Sequence, residues 1–119
     1  MGDIVNMKIT GTSITMADHG CLTFYVYLEG NGFGCCYGGY CIGHGYLGAK
    51  NFNGSSKGPE AMARIMDTVG VDTWEDLPGK YIRVVDAGLG RSITKIGNVI
   101  DDKWFDIKEF FEKDDKRMI

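Results

Sequence analysis

Residues 21–42 have the sequence CLTFYVYLEGNGFGCCYGGYCI, in which an alternating stretch meets a turn and a glycine-rich return. Every second position from Leu22 to Leu28 is apolar, which is the spacing of one face of a β-strand. The Glu-Gly-Asn-Gly that follows is typical of a tight hairpin turn. The segment therefore predicts two antiparallel strands, residues 21–28 and 33–42.

Weaker patterns on either side of this hairpin extend the sheet. Residues 7–16 alternate loosely and predict one strand that is bent near Gly11. Residues 81–85 and 92–100 predict a second hairpin around a Gly-Leu-Gly turn, whereas residues 43–56 lack periodicity and predict a loop.

Two helices complete the pattern. Gly58-Pro59 indicates the start of the first, and Gly70 its left-handed end. Its apolar residues recur at helical spacing, at Met62, Ile65, Met66 and Val69. Asp106 predicts the N-cap of the second helix, with Glu109 completing a capping box and Phe105 packing against Phe110. The order βββ–α–ββ–α predicts a single α+β domain over residues 1–119, with a mostly antiparallel sheet of about five to six strands and two helices.

The composition excludes two broad classes of protein. No window approaches the 18 consecutive apolar residues of a membrane span. The 13 basic residues are outnumbered by 16 acidic ones, a net charge of −3, which argues against a binder of nucleic acid duplexes. The first residues, MGDIVNMKIT, lack the pattern of a signal peptide, so we expect a cytoplasmic protein.

Glycine is over-represented, at 18 of 119 residues, and eight of these glycines lie between Gly30 and Gly48. They alternate with aromatic residues, and flat rings beside exposed backbone N–H groups suit a nucleobase and a phosphate. The alternative is a bulged strand that packs closely against other protein. Arg83, at mid-strand, either pairs with a carboxylate or binds an anion, and Arg91 lies at the neighbouring turn. The candidate ligand-binding residues are Phe33, Tyr40, His44, Tyr46, Arg83 and Arg91.

The four cysteines and two histidines include candidate zinc ligands. Zinc favours ligand pairs two to four residues apart, which Cys41 and His44 satisfy. Cys35 and Cys36 are adjacent, however, and point to opposite faces of a strand. We therefore predict free thiols and no metal site. No nucleophile with an orienting base is recognisable either, so neither a catalytic residue nor a cofactor is expected.

Two further stretches carry a family resemblance. Residues 73–84 are TWEDLPGKYIRV, and residues 93–111 are ITKIGNVIDDKWFDIKEFF. These, with the Leu-Thr-Phe and Gly-Gly-Tyr elements of the first hairpin, resemble small phage and prophage proteins. Within that group the chain is similar to the Thoeris anti-defence sponges, which sequester the cyclic ADP-ribose-type signal of bacterial TIR-domain enzymes without degrading it.

The resemblance implies a function as well as a fold. It implies a non-enzymatic phage protein that acts in the cytoplasm of an infected bacterium, binds a cyclic nucleotide signal (cyclic ADP-ribose type or a cyclic oligonucleotide) and assembles as a dimer or larger homo-oligomer. It carries no ligand-contacting residue over to this sequence. The alternative is a phage inhibitor that binds a host defence protein directly, in the manner of an anti-CRISPR.

Overall fold

A computed structural model describes residues 3–17, 20–30, 32–45, 52–86 and 93–117. Seven strands and two α-helices lie within these ranges. In chain order they are β1 (Asp3–Ala17), β2 (Cys21–Gly30), β3 (Phe33–His44), β4 (Asn53–Gly54), α1 (Lys57–Val69), β5 (Tyr81–Asp86), β6 (Lys95–Gly97), β7 (Trp104–Asp106) and α2 (Ile107–Arg117). A short 3₁₀ turn, Trp74–Asp76, precedes β5.

The strands form one sheet in the order β4-β3-β2-β1-β5-β6-β7, and every neighbouring pair is antiparallel. The predicted single α+β domain with a mostly antiparallel sheet is thus confirmed. The expected five to six strands were too few. The region predicted as a loop contains β4, β7 was missed, and the return strand at residues 92–100 is reduced to β6. Strands of two or three residues are too short to show an alternating pattern.

The predicted hairpin is present as β2 and β3, and β2 pairs with β1, the central strand of the sheet. Phe24, Val26 and Leu28 of β2 are fully or almost fully buried, as their alternation predicts. β1 is one long strand whose pairing with β2 shifts by one residue between Ile9 and Gly11, and this bulge is the predicted bend. Both long strands therefore present one apolar face to a common core.

The glycines of β3 make room for other parts of the protein. Gly38 and Gly39 have positive φ angles of 109° and 86°, and they form a bulge where β3 pairs with β2. A Cβ on Gly38 would lie 2.6 Å from the carbonyl oxygen of Phe24, which no side chain tolerates. A Cβ on Gly43 would collide with the ring of Phe52. At these positions the glycines serve packing within the chain.

Helix α1 packs its apolar side on the sheet and buries Ala61 and Ile65. It begins at Lys57, two residues before Pro59, the predicted first residue of the helix, and Gly70 ends it in the left-handed conformation as expected. Its contacts with β3, β6, β7 and α2 place it across the two ends of the sheet. No helix in the part of the chain that the structure describes is long and apolar enough to cross a membrane.

The sheet curls so that its late strand β7 approaches β3. The hydroxyl of Tyr37, on β3, donates a hydrogen bond of 3.2 Å to the carbonyl oxygen of Phe105, on β7, and the Tyr37 side chain is fully buried. Helix α2 starts directly after β7, where the backbone N–H of Glu109 donates to Oδ1 of Asp106 at 3.0 Å, confirming the predicted N-cap. The curl thereby brings both helices to one side of the sheet.

The Tyr37 hydroxyl is the first target for a test of this closure. Tyr37→Phe removes only the hydroxyl, and it leaves the carbonyl of Phe105 without that buried donor. We expect the free energy of unfolding in urea to fall by about 1–2 kcal/mol. Tyr27→Phe is the matched control, because its hydroxyl bonds to Ser13 Oγ on an exposed surface, and it should cost less than about 0.5 kcal/mol. Equal losses in the two variants would contradict a closing role for Tyr37.

The same group predicts a pH dependence. Burial, reinforced by the negative charge of Asp106, raises the pKa of the Tyr37 phenol, so the folded state holds its proton more tightly than the unfolded state does. The stabilisation is complete below the unfolded pKa of about 10, and it is lost as the pH rises above that value by about 1.4 kcal/mol per pH unit. The stability difference between the wild type and Tyr37→Phe should therefore narrow between about pH 10 and pH 11.5. A constant difference over that range would refute this prediction.

Candidate functional site

A cleft of about 580 Å³ opens between the first half of α1 and the β7–α2 junction. Its described lining combines three cations, three carboxylates and three aromatic rings with one serine. These residues are Ser56, Lys57, Glu60, Arg64, Lys95, Trp104, Phe105, Asp106, Glu109 and Phe110. Volumes of this size are typical of small-molecule sites, and the mixture of rings and charges is suited to a polar aromatic ligand.

Helix α1 supplies one wall of the cleft. Lys57, Glu60 and Arg64 are spaced by three and four residues, so they share one face of the helix. The guanidinium of Arg64 donates to Oε2 of Glu60 from Nη2 at 2.7 Å and from Nε at 3.0 Å. This ion pair is about half exposed, so its net contribution to stability is small. Its main effect is to orient the guanidinium.

The ring of Phe110, on α2, lies between two of the cations. Nζ of Lys57 is 3.7 Å from the ring centroid and donates to the carbonyl oxygen of Phe110 at 3.0 Å. The guanidinium carbon of Arg64 is 5.5 Å from the same centroid. Cation–π contacts of this kind are worth about 0.5–1 kcal/mol each at exposed sites. They hold both positive groups beside the cleft.

Trp104, on β7, forms the opposite wall. Its ring lies across Gly97 of the neighbouring strand, where a Cβ would be only 2.5 Å from the ring. Arg83 stacks on the ring at 4.7 Å, Lys95 lies 5.5 Å from it, and the indole N–H donates to Oδ1 of Asp102 at 2.9 Å. The missing side chain at Gly97 is therefore what allows Trp104 to lie flat on the strand.

The turn that carries Arg83's acceptors is itself fixed to α1. The side-chain amide of Asn98 donates to the carbonyl oxygen of Thr68 at 2.9 Å, and its oxygen accepts from the N–H groups of Ile100 and Asp101 at 2.8 Å each. The guanidinium of Arg83 donates to the carbonyl oxygens of Asn98, at 2.6 Å, and Asp101, at 2.9 Å. Arg83 thus braces the β5–β6–β7 edge.

Of the six residues predicted from sequence, Arg83 contacts a residue that lines the cleft, and Tyr40 contacts Phe111, the neighbour of one. Arg83 contacts Trp104, but its guanidinium already holds two backbone carbonyls and one ring face. Tyr40 stacks on Phe111 at 4.6 Å, and burial together with the nearby carboxylates of Glu112 and Asp106 raises the pKa of its phenol. Neither residue lines the cleft, and both support residues that pack beside it.

The other four predicted residues are not brought to this cleft by anything the structure describes. His44 is exposed at the end of β3, four residues beyond Tyr40, or about 13 Å along the strand. Phe33 begins β3, and its side chain lies outside the described part. Tyr46 and Arg91 lie outside the described residues altogether.

Sequence reasoning missed the cleft-lining residues of α1. The pattern that predicted the helix came from its apolar face, so the polar face with Lys57, Glu60 and Arg64 was not singled out. Their spacing was visible, and so was the Lys-Trp-Phe run before α2, but nothing in the sequence indicated that the two segments meet.

The cysteines form a separate group on β2 and β3. Cys21 and Cys35 are half-buried, Cys36 and Cys41 are exposed, and all four are free thiols. A hydrogen bond to Cys41, with burial, raises the pKa of the Cys21 thiol. Among the described residues no three His, Cys, Asp or Glu side chains are placed to hold a metal ion.

No family model, curated protein or solved structure matches the chain. The geometry of the cleft and the surfaces of the sheet are therefore the basis for assigning a function.

The Trp104 wall can be tested at Gly97. Gly97→Ala would push the indole off its strand, and we expect the free energy of unfolding to fall by about 1–3 kcal/mol, as overpacking does elsewhere. Gly54→Ala is the matched control, since an added Cβ there meets nothing within 4 Å. The measurement is urea unfolding of both variants. A neutral Gly97→Ala would show that the Trp104 ring is not held against this strand.

Proposed function

We propose that the protein binds a cyclic nucleotide signal in the α1–β7 cleft and sequesters it without cleavage, as a phage anti-defence protein in the cytoplasm of an infected bacterium. The observation that carries the proposal is the meeting of three cations with the aromatic rings of Trp104, Phe105 and Phe110 in one cavity of about 580 Å³. The ring edges that face the cavity contact the base, and the cations bind phosphate oxygens.

The charge balance of the cleft favours a nucleotide over a simple polyanion. Lys57, Arg64 and Lys95 are matched by three carboxylates, those of Glu60, Asp106 and Glu109. A bare polyanion would be attracted and repelled equally. A nucleotide supplies phosphate oxygens for the cations, and ribose hydroxyls and a base amine as donors for the carboxylates. The same balance explains how a chain with a net charge of −3 binds a small anion locally.

Sequestration rather than turnover is supported by the chemistry of the described lining. It includes neither histidine nor cysteine, and its one hydroxyl belongs to Ser56. Glu60 is bound by Arg64, and Asp106 accepts the backbone N–H that starts α2. Two of the three carboxylates in the described lining are therefore already engaged in positioning contacts.

A second candidate function is supported by the outer face of the sheet. Ile4 and Tyr81 are more than half exposed there, and Tyr27 is 41% exposed. Exposed apolar side chains on the outer face of a sheet suit a protein partner. This observation favours the direct inhibitor of a host defence protein, which would not need the cleft.

Calorimetric titration with cyclic ADP-ribose tests the proposal. We expect saturable binding, and heat denaturation followed by chromatography should return the ligand unchanged. Arg64→Gln and Lys57→Gln should each weaken binding about 10- to 100-fold, because each removes one charge-assisted contact with a phosphate. Lys8→Gln is the control, since Lys8 is exposed on β1 away from the described lining of the cleft, and it should bind normally.

Each other outcome has a distinct meaning. Conversion of the ligand to a linear product would replace sequestration by hydrolysis. Binding that is unaffected by Arg64→Gln and Lys57→Gln would move the site away from the cleft. Absence of binding to cyclic ADP-ribose and to a cyclic dinucleotide, with capture of a host protein that Ile4→Lys abolishes, would establish the second candidate instead.

A further inference from the structure

Strand β1 is much longer than β5, the strand that pairs with it on the edge opposite β2. β5 pairs with β1 only from Asp3 to Lys8, and Ile9 then exchanges backbone hydrogen bonds with Lys80, at 2.8 Å, and Gly79, at 2.7 Å. Residues 11–17 continue as strand and pair with β2. No other described residue pairs with them, so half of β1 has one edge without a partner strand in the part of the chain that the structure describes.

The alternation of an antiparallel ladder fixes which groups point to that edge. Ile9 directs its N–H and C=O away from β2, towards residues 79 and 80. The bulge adds one residue, so the next residues whose backbone N–H and C=O groups point away from β2 are Thr12, Ile14 and Met16. The backbone N–H and C=O groups of Ser13 and Thr15 point towards β2.

This edge lacks the features by which proteins prevent strand pairing. Residues 10–17 are TGTSITMA, with no charge and no proline, whereas natural edge strands are usually blocked by lysine, proline or a further bulge. Ile14 is 50% exposed and Met16 is 38% exposed, so apolar side chains accompany the backbone groups. The terminal strands of the sheet, β4 and β7, have only two and three residues, and β3, which β4 covers only at Gly43 and His44, is interrupted by the bulge at Gly38 and Gly39.

We propose that residues 11–17 of β1 pair with the same segment of a second copy of this chain, as an antiparallel ladder centred on Ile14. A two-fold axis through Ile14 places Thr12 opposite Met16 of the second copy, and Met16 opposite its Thr12. Three such hydrogen-bonded pairs supply about six backbone hydrogen bonds. The side chains of Ile14 and Met16 from both copies then form one apolar patch.

The choice of a second copy over another protein follows from symmetry. An antiparallel ladder between identical strands is self-complementary, because each residue contacts its counterpart across the axis. An uncharged segment also carries no side-chain charge that would select a different partner or repel a copy of itself. The resulting dimer joins two sheets into one and leaves the α1–β7 cleft of each copy separate from the contact.

Sedimentation velocity on the full chain tests the proposal. We expect a dimer at protein concentrations of about 100 µM. A concentration this high is needed because short strand-edge interfaces associate weakly. Ile14→Lys should shift the protein to monomer by placing two like charges opposite each other at the axis. Ile4→Lys is the matched control: Ile4 is 57% exposed on the same strand, in the part that β5 already covers, and this variant should remain dimeric.

Hydrogen exchange supplies a readout that does not depend on a variant. The amides of Thr12, Ile14 and Met16 should gain protection as the concentration rises, whereas those of Ser13 and Thr15 should be protected at every concentration. A monomer at all concentrations would overturn the proposal. A dimer lost in Ile4→Lys and kept in Ile14→Lys would also overturn it, and would place the contact on the outer face of the sheet.

Discussion

The buried hydrogen bond from the Tyr37 hydroxyl to the carbonyl oxygen of Phe105 is the constraint on which the positions of β7 and α2 depend. β7 has three residues and pairs with a β6 of three residues, so its ladder alone provides few hydrogen bonds to hold it. Tyr37 fixes the far side of β7 to the 12-residue strand β3. Because α2 begins at the residue after β7, the same bond also fixes the position of the first turn of α2 relative to β3.

The packing around this bond extends it into a continuous aromatic layer. Phe105 contacts Phe110 at 5.4 Å, Phe110 contacts Phe111 at 5.4 Å, and Phe111 stacks on Tyr40, which lies three residues after Tyr37 on β3. The chain of rings returns to the strand from which it started. The wall of the cleft formed by Phe110 is therefore held at both ends, which limits the conformational entropy that a ligand would have to remove.

The cations beside the cleft are held by neutral groups as well as by carboxylates. Lys57 and Arg64 lie against the ring of Phe110, and Lys95 and Arg83 against that of Trp104. A ring positions a cation without neutralising its charge, whereas an ion pair neutralises it. Arg64 combines the two kinds of contact, because it lies against the ring of Phe110 and also shares its charge with Glu60.

The elements that the sequence predicted are those long enough to repeat a pattern. β2 and α1 each contain four apolar residues at a regular spacing, β1 alternates on either side of its bulge, and the structure has all three. β4 and β7 form because neighbouring strands in the folded sheet offer them hydrogen bonds. Since these contacts are tertiary, no local sequence pattern predicts either strand. Arg83 illustrates the same limit at the site: its position on the strand face was predicted correctly, but its acceptors come from a turn that Asn98 attaches to α1.

The sequence offers two explanations for the excess of glycine, room for a ligand or close packing against other protein. The structure supports close packing at three of the glycines. The backbone of β2 occupies the space that a side chain at Gly38 would need. An aromatic ring occupies the corresponding space at Gly43 and at Gly97. Glycine here is the consequence of a sheet that bulges and curls, since close approach of strands and rings requires residues without Cβ atoms. The cleft arises from that curl, which carries β7 towards α1. The glycines therefore contribute to the cleft indirectly, by allowing the sheet to bend until β7 approaches α1.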